Sequence, residues 1–342
     1  MSQPAKTSIF YIDLLRFIAA IAVIIIHVLG PFRHMFGTLE ETEWLAAMGY
    51  NSVTRWAVPV FMMISGALLL SNARPFNCKH YLTRRLAKVA IPFVAWTIIY
   101  AFMGGFGEHG WDSQASAKLL TESTNEPVWY HMWFFYDFIP LYFVIPFLLL
   151  ILQRLDEEHV KLLIASWLLL TLMHMLKVET PLRQNLILYS GYLIFGWYLF
   201  NRDNRAELKY WVIAGIACLA MNFLGSWYFA HQDGKYSTFF MGYKSLNTVI
   251  IGGMLFVICQ TYADRIQGKS RAFISLIAKY SLGIYLLHPL LLIPVRNLQN
   301  GMYELFGSNW LAIPAISLIT LFIALVCTMI LAKIPVIRRI VP

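Results

Sequence analysis

Charge is scarce in this 342-residue chain: 13% of its residues are Asp, Glu, Lys or Arg, about half the share of an ordinary soluble domain, while 59% are hydrophobic. That excludes an ordinary water-soluble enzyme. Cysteine is nearly as scarce. Cys78, Cys218, Cys259 and Cys327 are scattered, with no CxxC pair and no Cys/His ligand spacing, so neither disulfides nor a metal site is expected. No internal repeat is visible, which weakens an inverted-repeat transporter without removing it. The first apolar run lacks a small-residue cleavage pattern and carries Arg16 and His27, so it is expected to stay as the first helix and not to be removed as a signal peptide.

What is present is a succession of apolar runs. A hydrocarbon core about 30 Å thick needs roughly 20 residues per helical crossing. Candidate crossings fall at 10–30, 51–71, 85–105, 130–152, 159–177, 185–200, 210–229, 238–261, 272–293 and 309–333. The expected fold is an all-α integral membrane protein, a bundle of about ten transmembrane helices in one domain spanning 1–342. The 185–200 segment is short and contains glycine, so it is expected to cross where protein packs around it.

Orientation follows from the basic residues, which are retained in the cytoplasm. One set of connections carries Lys6, Arg74, Lys79, Arg84, Arg85, Arg154, Arg202, Arg205, Lys209, Arg265, Lys269, Arg271, Lys333, Arg338 and Arg339; the other carries only Arg33, Lys118, Arg183, Lys235 and Arg296. Both termini are therefore expected in the cytoplasm. The net charge of +9 then needs no nucleic-acid partner, because topology and an anionic inner leaflet account for it.

The stretch DLLRFIAAIAVIIIHV, residues 13–28, keeps three groups that lipid penalises. Arg16 and His27 are eleven residues apart, about three turns, so they share a face and lie about 16 Å apart along the axis. An intramembrane charge costs about 2.5–3.5 kcal/mol or more on insertion scales, which drives such groups toward a polar interior. The plain alternative is that Arg16 snorkels, paired with Asp13, while His27 bonds a neighbouring helix. Arg84, Arg85 and Lys88 open a later segment on the same side as Arg16. With Arg16 they would form a cationic mouth suited to phosphate oxygens; the plain alternative is a positive-inside flank. On the outer side His131 sits in the aromatic run VWYHMWFFYDF with Trp129, Tyr130, Trp133 and Phe134, which alone reads equally as an interface belt. Arg55 is a candidate for an anionic acceptor or a snorkelling residue. His288 precedes Pro289 in an apolar helix, a cavity residue with no assignable role, and the 106–128 loop is the longest polar connection, placed to cover an acceptor site.

These residues carry a resemblance. Asp13, Leu15, Arg16 and Ala19, with the Arg16-to-His27 spacing, resemble the first-helix motif of membrane acyltransferase family 3. FMMISGALL with Phe61, Ser65 and Gly66, RRLAKVAIP, HMWFFYDFIPLYFVIP with His131, Trp133, Phe134, Tyr142 and Pro146, and YSLGIYLLHPLLL with Ser281, Gly283, Tyr285 and His288 follow in the family's order. The likeness spans essentially the whole chain. One departure is Lys88, where the family often has a second arginine: the charge is kept and the planar fork lost.

The resemblance implies a stand-alone O-acetyltransferase of the inner membrane, similar to those acting on enterobacterial common antigen and other surface polysaccharides. It implies acetyl-CoA as acyl donor, bound from the cytoplasm at Arg16, Arg85, Lys88 and Arg84. His27 would be general base or transient acyl acceptor. His131, Trp133 and Arg55 would meet a carbohydrate or an undecaprenyl-linked saccharide in the membrane lipid. No carboxylate is available to orient His27, since Asp13 is a helix length away. The competing expectation is a polytopic secondary transporter using His27, Arg16 and Arg55 as a proton or anion pathway.

Overall fold

The computed structural model describes residues 9–71, 76–108, 110–297 and 304–341. Lys6 and Arg74, two of the orienting residues, and His109 of the 106–128 loop lie outside them. The described residues are mainly helical: α1 (Phe10–Val28), α2 (Glu41–Ser52), α3 (Ala57–Leu70), α4 (Cys78–Tyr81), α5 (Ala87–Gly104), α6 (Ser113–Glu122), α7 (Trp133–Leu152), α8 (Glu157–Met175), α9 (Asn185–Phe200), α10 (Leu208–Asp233), α11 (Leu246–Tyr262), α12 (Gly268–Asn297) and α13 (Asn309–Leu331). A two-residue hairpin, Phe106–Gly107 against Gly110–Trp111, is the only sheet among the described residues.

Among the described residues eight helices, with α2–α3 and α4–α5 each counted as one continuous span, are long and apolar enough to cross a membrane. The other two expected crossings are occupied by α8, whose first turn carries Glu157 and Glu158, and by the 16-residue α9. Large apolar side chains face outward, among them Ile213, Ile216 and Leu224 of α10 and Leu318 and Phe322 of α13. In water such a surface would aggregate; in hydrocarbon it is the solvated face. The chain is an all-α integral membrane protein.

The expected segment at 51–71 is more complex than one run. It bends where Val53–Trp56 separate α2 from α3, and the 238–261 segment becomes helical only at Leu246, which Ser245 caps by accepting from Thr248 N–H. The 106–128 connection contains the hairpin and α6, capped by Asp112. α6 has ten residues, of which only Ala115, Ala117, Leu119 and Leu120 are apolar, so it offers none of the roughly 20-residue apolar runs that mark a crossing.

Helix α1 sits in the interior, packed on α3, α11, α12 and α13, which is why a helix bearing Arg16 and His27 is tolerated. α3 lies against α9 with the two backbones in close approach. A Cβ on Gly66 would overlap the Leu193 backbone, and one on Gly196 would overlap the Met63 backbone, so both glycines are required by backbone approach. This gives Ser65-Gly66 a packing role, with Ser65 donating to Phe61 O within its own helix at 2.9 Å.

Candidate active site

Three elements bring three histidines together: His27 from the last turn of α1, His131 just before α7, and His288 from the second half of α12. His27 Nδ1 and His288 Nε2 are 2.6 Å apart, the rings nearly parallel at 12°. His131 lies edge-on to both, its ring centre 6.5 Å from that of His27 and 5.9 Å from that of His288. His131 and His288 are fully buried; His27 is half-buried and so remains reachable.

The hydrogen bonds fix the direction of the pair. His288 Nδ1 lies 3.1 Å from Ile284 O, which can only accept, so that nitrogen carries the proton. In neutral His288 the other nitrogen, Nε2, is then a bare acceptor, and His27 Nδ1–H donates to it. Neutral His27 is left with an unprotonated Nε2. A backbone carbonyl and a second imidazole thus do the orienting that a carboxylate would otherwise do. Pro289 follows directly. It has no N–H to give the Tyr285 carbonyl four residues back, so the helical ladder is loosened where the imidazole sits.

Among the described residues His131 has no hydrogen-bond partner on either ring nitrogen, although it is wholly buried. Its backbone carbonyl accepts from the Tyr285 hydroxyl, and its ring meets Tyr100, Tyr285 and Tyr130 edge-on at 4.8, 5.4 and 5.8 Å. A buried imidazole without partners is costly unless something else satisfies it. The arrangement leaves one donor and one acceptor available beside His27.

From His131 an aromatic column descends one face of α7. Tyr285 meets Phe134 at 5.9 Å, Phe134 stacks on Phe138 at 4.7 Å, and Phe138 meets Tyr142 edge-on at 5.4 Å. Steps of three or four residues are what one helix face requires. The column ends at Tyr142, which lies within electrostatic reach of both Arg85 and Arg16. Arg16 pairs with Asp13 at 3.8 Å, and Asp13 in turn accepts from Ser275 of α12 at 3.0 Å. Arg84 and Arg85 lie in a π-helical turn, Leu82–Leu86, and Lys88 in the α-helix that continues from it. All three are exposed and without an ion pair among the described residues. Three residues apart, Arg85 and Lys88 would share a face at α-helical spacing, which this wider turn does not have.

At the other end Trp133 stacks on Tyr243 at 5.2 Å and 23°, and Arg55 lies 3.9 Å from the Tyr243 ring centre while donating to its hydroxyl and to Met241 O, each at 3.0 Å. Trp133 and Arg55 thus meet through a tyrosine that gave no signal in the sequence. Arg296 donates to His27 O at 2.9 Å, capping the C-terminal end of α1, and lies over Tyr130 at 4.4 Å. Burial pushes the Arg33 guanidinium below its ordinary value, with Arg55 and Arg296 adding to this and Tyr236 and Tyr243 opposing it. Lys244 donates to Asn185, which donates to Asp137, so it belongs to a surface chain of polar groups. Two clefts lie elsewhere, about 340 Å³ beside Glu207, Tyr210 and Trp211 and about 140 Å³ beside Phe36, Trp44 and His231; neither has His27 or Arg16 in its wall.

The family model for an acyltransferase domain, Acyl_transf_3, matches residues 9–329. The chain belongs to acyltransferase family 3. The match runs from the first turn of α1 to the last turn of α13, so it covers His27, His131 and His288 together. Among curated proteins, the "probable poly-beta-1,6-N-acetyl-D-glucosamine export protein" of Staphylococcus aureus strains MSSA476, MW2 and N315 is 23% identical, over 92% of this chain and 89% of that protein. No solved structure matches. This family 3 chain is a multi-pass membrane protein, which in a bacterium means the inner membrane.

Proposed function

We propose that this family 3 acyltransferase moves an acetyl group from acetyl-CoA, entering on the cytoplasmic side, to a hydroxyl of a surface-polysaccharide sugar or its lipid-linked precursor on the other side. The observation that carries this reading is the His27–His288 pair, which leaves His27 Nε2 as a bare base at a reachable position. The CoA phosphates would sit at Arg16 and Arg85, with Lys88 and Arg84 beside them. The pantetheine arm would run along the α7 aromatic column to His27, an axial span of about 16 Å.

His27 Nε2 takes the proton of the acceptor hydroxyl as its oxygen forms the new C–O bond with the thioester carbonyl carbon. The C–S bond then breaks, and the CoA thiolate takes the proton from His27 and leaves as the thiol. His131, neutral and otherwise unpartnered, donates its N–H to the oxyanion in between. Polysaccharide as acceptor class is supported by the name of the staphylococcal relatives. That name also speaks of export, so a transport reading through His27, Arg16 and Arg55 is the competitor.

Membranes from cells expressing wild type or His27→Ala, given labelled acetyl-CoA, test this directly. Label should enter carbohydrate with wild type and not with the variant, while CoA still stabilises both purified proteins. Solute flux without acyl consumption, or equal labelling by the two, would overturn it.

A further inference from the structure

Three arginines stand at the His27 end of the bundle, and none has a carboxylate within ion-pair distance among the described residues. Arg33 follows α1, Arg55 lies between α2 and α3, and Arg296 ends α12; each is half-buried. They are joined through neutral groups. Arg33 Nε donates to His34 at 3.0 Å, and His34 meets the Tyr236 ring edge-on at 5.3 Å. Asn51 donates to the Tyr236 hydroxyl and to Met241 Sδ, and Arg55 donates to Met241 O. Arg33 is within electrostatic reach of both Arg55 and Arg296, and Arg296 holds the His27 carbonyl.

Like charges gathered in a partly desolvated place repel, and guanidinium groups normally find carboxylates there. Each has five donors, and among the described residues direct hydrogen bonds to protein take at most two of them at any of the three. Among the described residues, Asn51, fully buried, also leaves its side-chain oxygen without a partner, as His131 leaves both ring nitrogens. The unspent groups are thus many N–H donors on three cations, with neutral acceptors nearby suited to hydroxyls. The Trp133–Tyr243 stack adds an apolar face of the kind that sugar rings lie on.

We infer that Arg33, Arg55 and Arg296 form an oxyanion-binding site that holds the acceptor by an anionic group, phosphate, diphosphate or carboxylate, with its hydroxyl presented to His27. This rests on the acyl-transfer reading and narrows it: the acceptor is an anionic saccharide or a saccharide on an anionic carrier. Guanidinium forks suit all three groups, and the source is a matter for measurement.

The purified full-length protein in detergent is titrated with farnesyl diphosphate, with glucuronate and with CoA, following thermal stabilisation, in wild type and in Arg33→Gln, Arg55→Gln and Arg296→Gln. One oxyanion probe should bind wild type, weaken with salt, and bind each variant about tenfold or more weakly, as expected for lost charge-assisted hydrogen bonds. Farnesyl diphosphate binding places the anion on the carrier; glucuronate binding places it on the sugar. CoA binding should be unchanged in all three variants and additive with the probe. An unliganded melting temperature equal to wild type in at least one weakened variant separates lost binding from lost folding. Absence of binding by both oxyanion probes, equal binding by all variants, or competition between probe and CoA for one site would overturn the inference. Failure of acetyl transfer with these binding results intact would instead overturn the acyl-transfer reading alone.

Discussion

The two ends of α1 solve the cost of polar groups in a membrane differently. Near its start, Arg16 is neutralised in the ordinary way, by Asp13 within a turn, with Ser275 steadying the carboxylate. Near its end, His27 has no carboxylate; an imidazole, a backbone carbonyl and aromatic rings surround it, and three arginines stand nearby. The first end is a site that persists without ligand, with exposed Arg84, Arg85 and Lys88 at its rim. The second leaves donors and acceptors unspent in a buried place. On the proposed reading the first binds a preformed polyanion, and the second waits for groups that arrive with substrate.

This contrast can be broken from either side. His27→Ala is expected to have the largest effect, lowering transfer by about 10²–10⁴-fold, the usual worth of a general base, with donor binding retained. Replacing His288 with Ala should come next. His288 is a positioning residue, so kcat should fall by on the order of 10²-fold with little change in the donor KM, and the pH–rate profile should shift because the His27 tautomer is no longer held. His288→Gln, whose side-chain oxygen can accept from His27 Nδ1–H, should recover part of that loss.

At the other end Arg16→Ala should raise the donor KM by roughly 10- to 100-fold through lost charge-assisted hydrogen bonds, leaving kcat closer to wild type. If Arg16→Ala struck kcat alone, the assignment of the two ends would be wrong. The smallest effect expected is that of Trp133→Ala. Removal of one aromatic pair, about 0.5–1.5 kcal/mol, should weaken acceptor affinity several-fold and spare donor binding.

The sequence makes α1 legible because charge in an apolar run is conspicuous, and the eleven-residue spacing gives a shared face without any structure. The Gly66 crossing is legible for a similar reason, since a small residue in an apolar helix has few purposes. His288 is different. Its partner is 261 residues away, and beside Pro289 it looks like any polar group in a bent helix; only tertiary packing sets it 2.6 Å from His27. Arg33 and Arg296 read as ordinary loop and helix-end charges, and Tyr243, where Trp133 and Arg55 meet, lies in a connection without periodicity. The π-helical turn at Leu82–Leu86 shows the same limit, because pattern arguments presuppose the regular spacing it breaks. α6 stays hidden because it is short and lies in a polar connection, where Ala115, Ala117, Leu119 and Leu120 are too few to stand out as a periodic signal.

The central claim is that the donor is gripped at one end of α1 and the acceptor receives its acetyl group at the other. Sealed vesicles of known orientation, carrying wild-type protein and a pool of host saccharide acceptors, test it with labelled acetyl-CoA supplied to one face at a time. The account predicts label in saccharide only when acetyl-CoA is on the face where Arg16 and Arg85 lie, with the labelled saccharide accessible from the opposite face. Transfer from either face, or donor and labelled product confined to the same face, would contradict it.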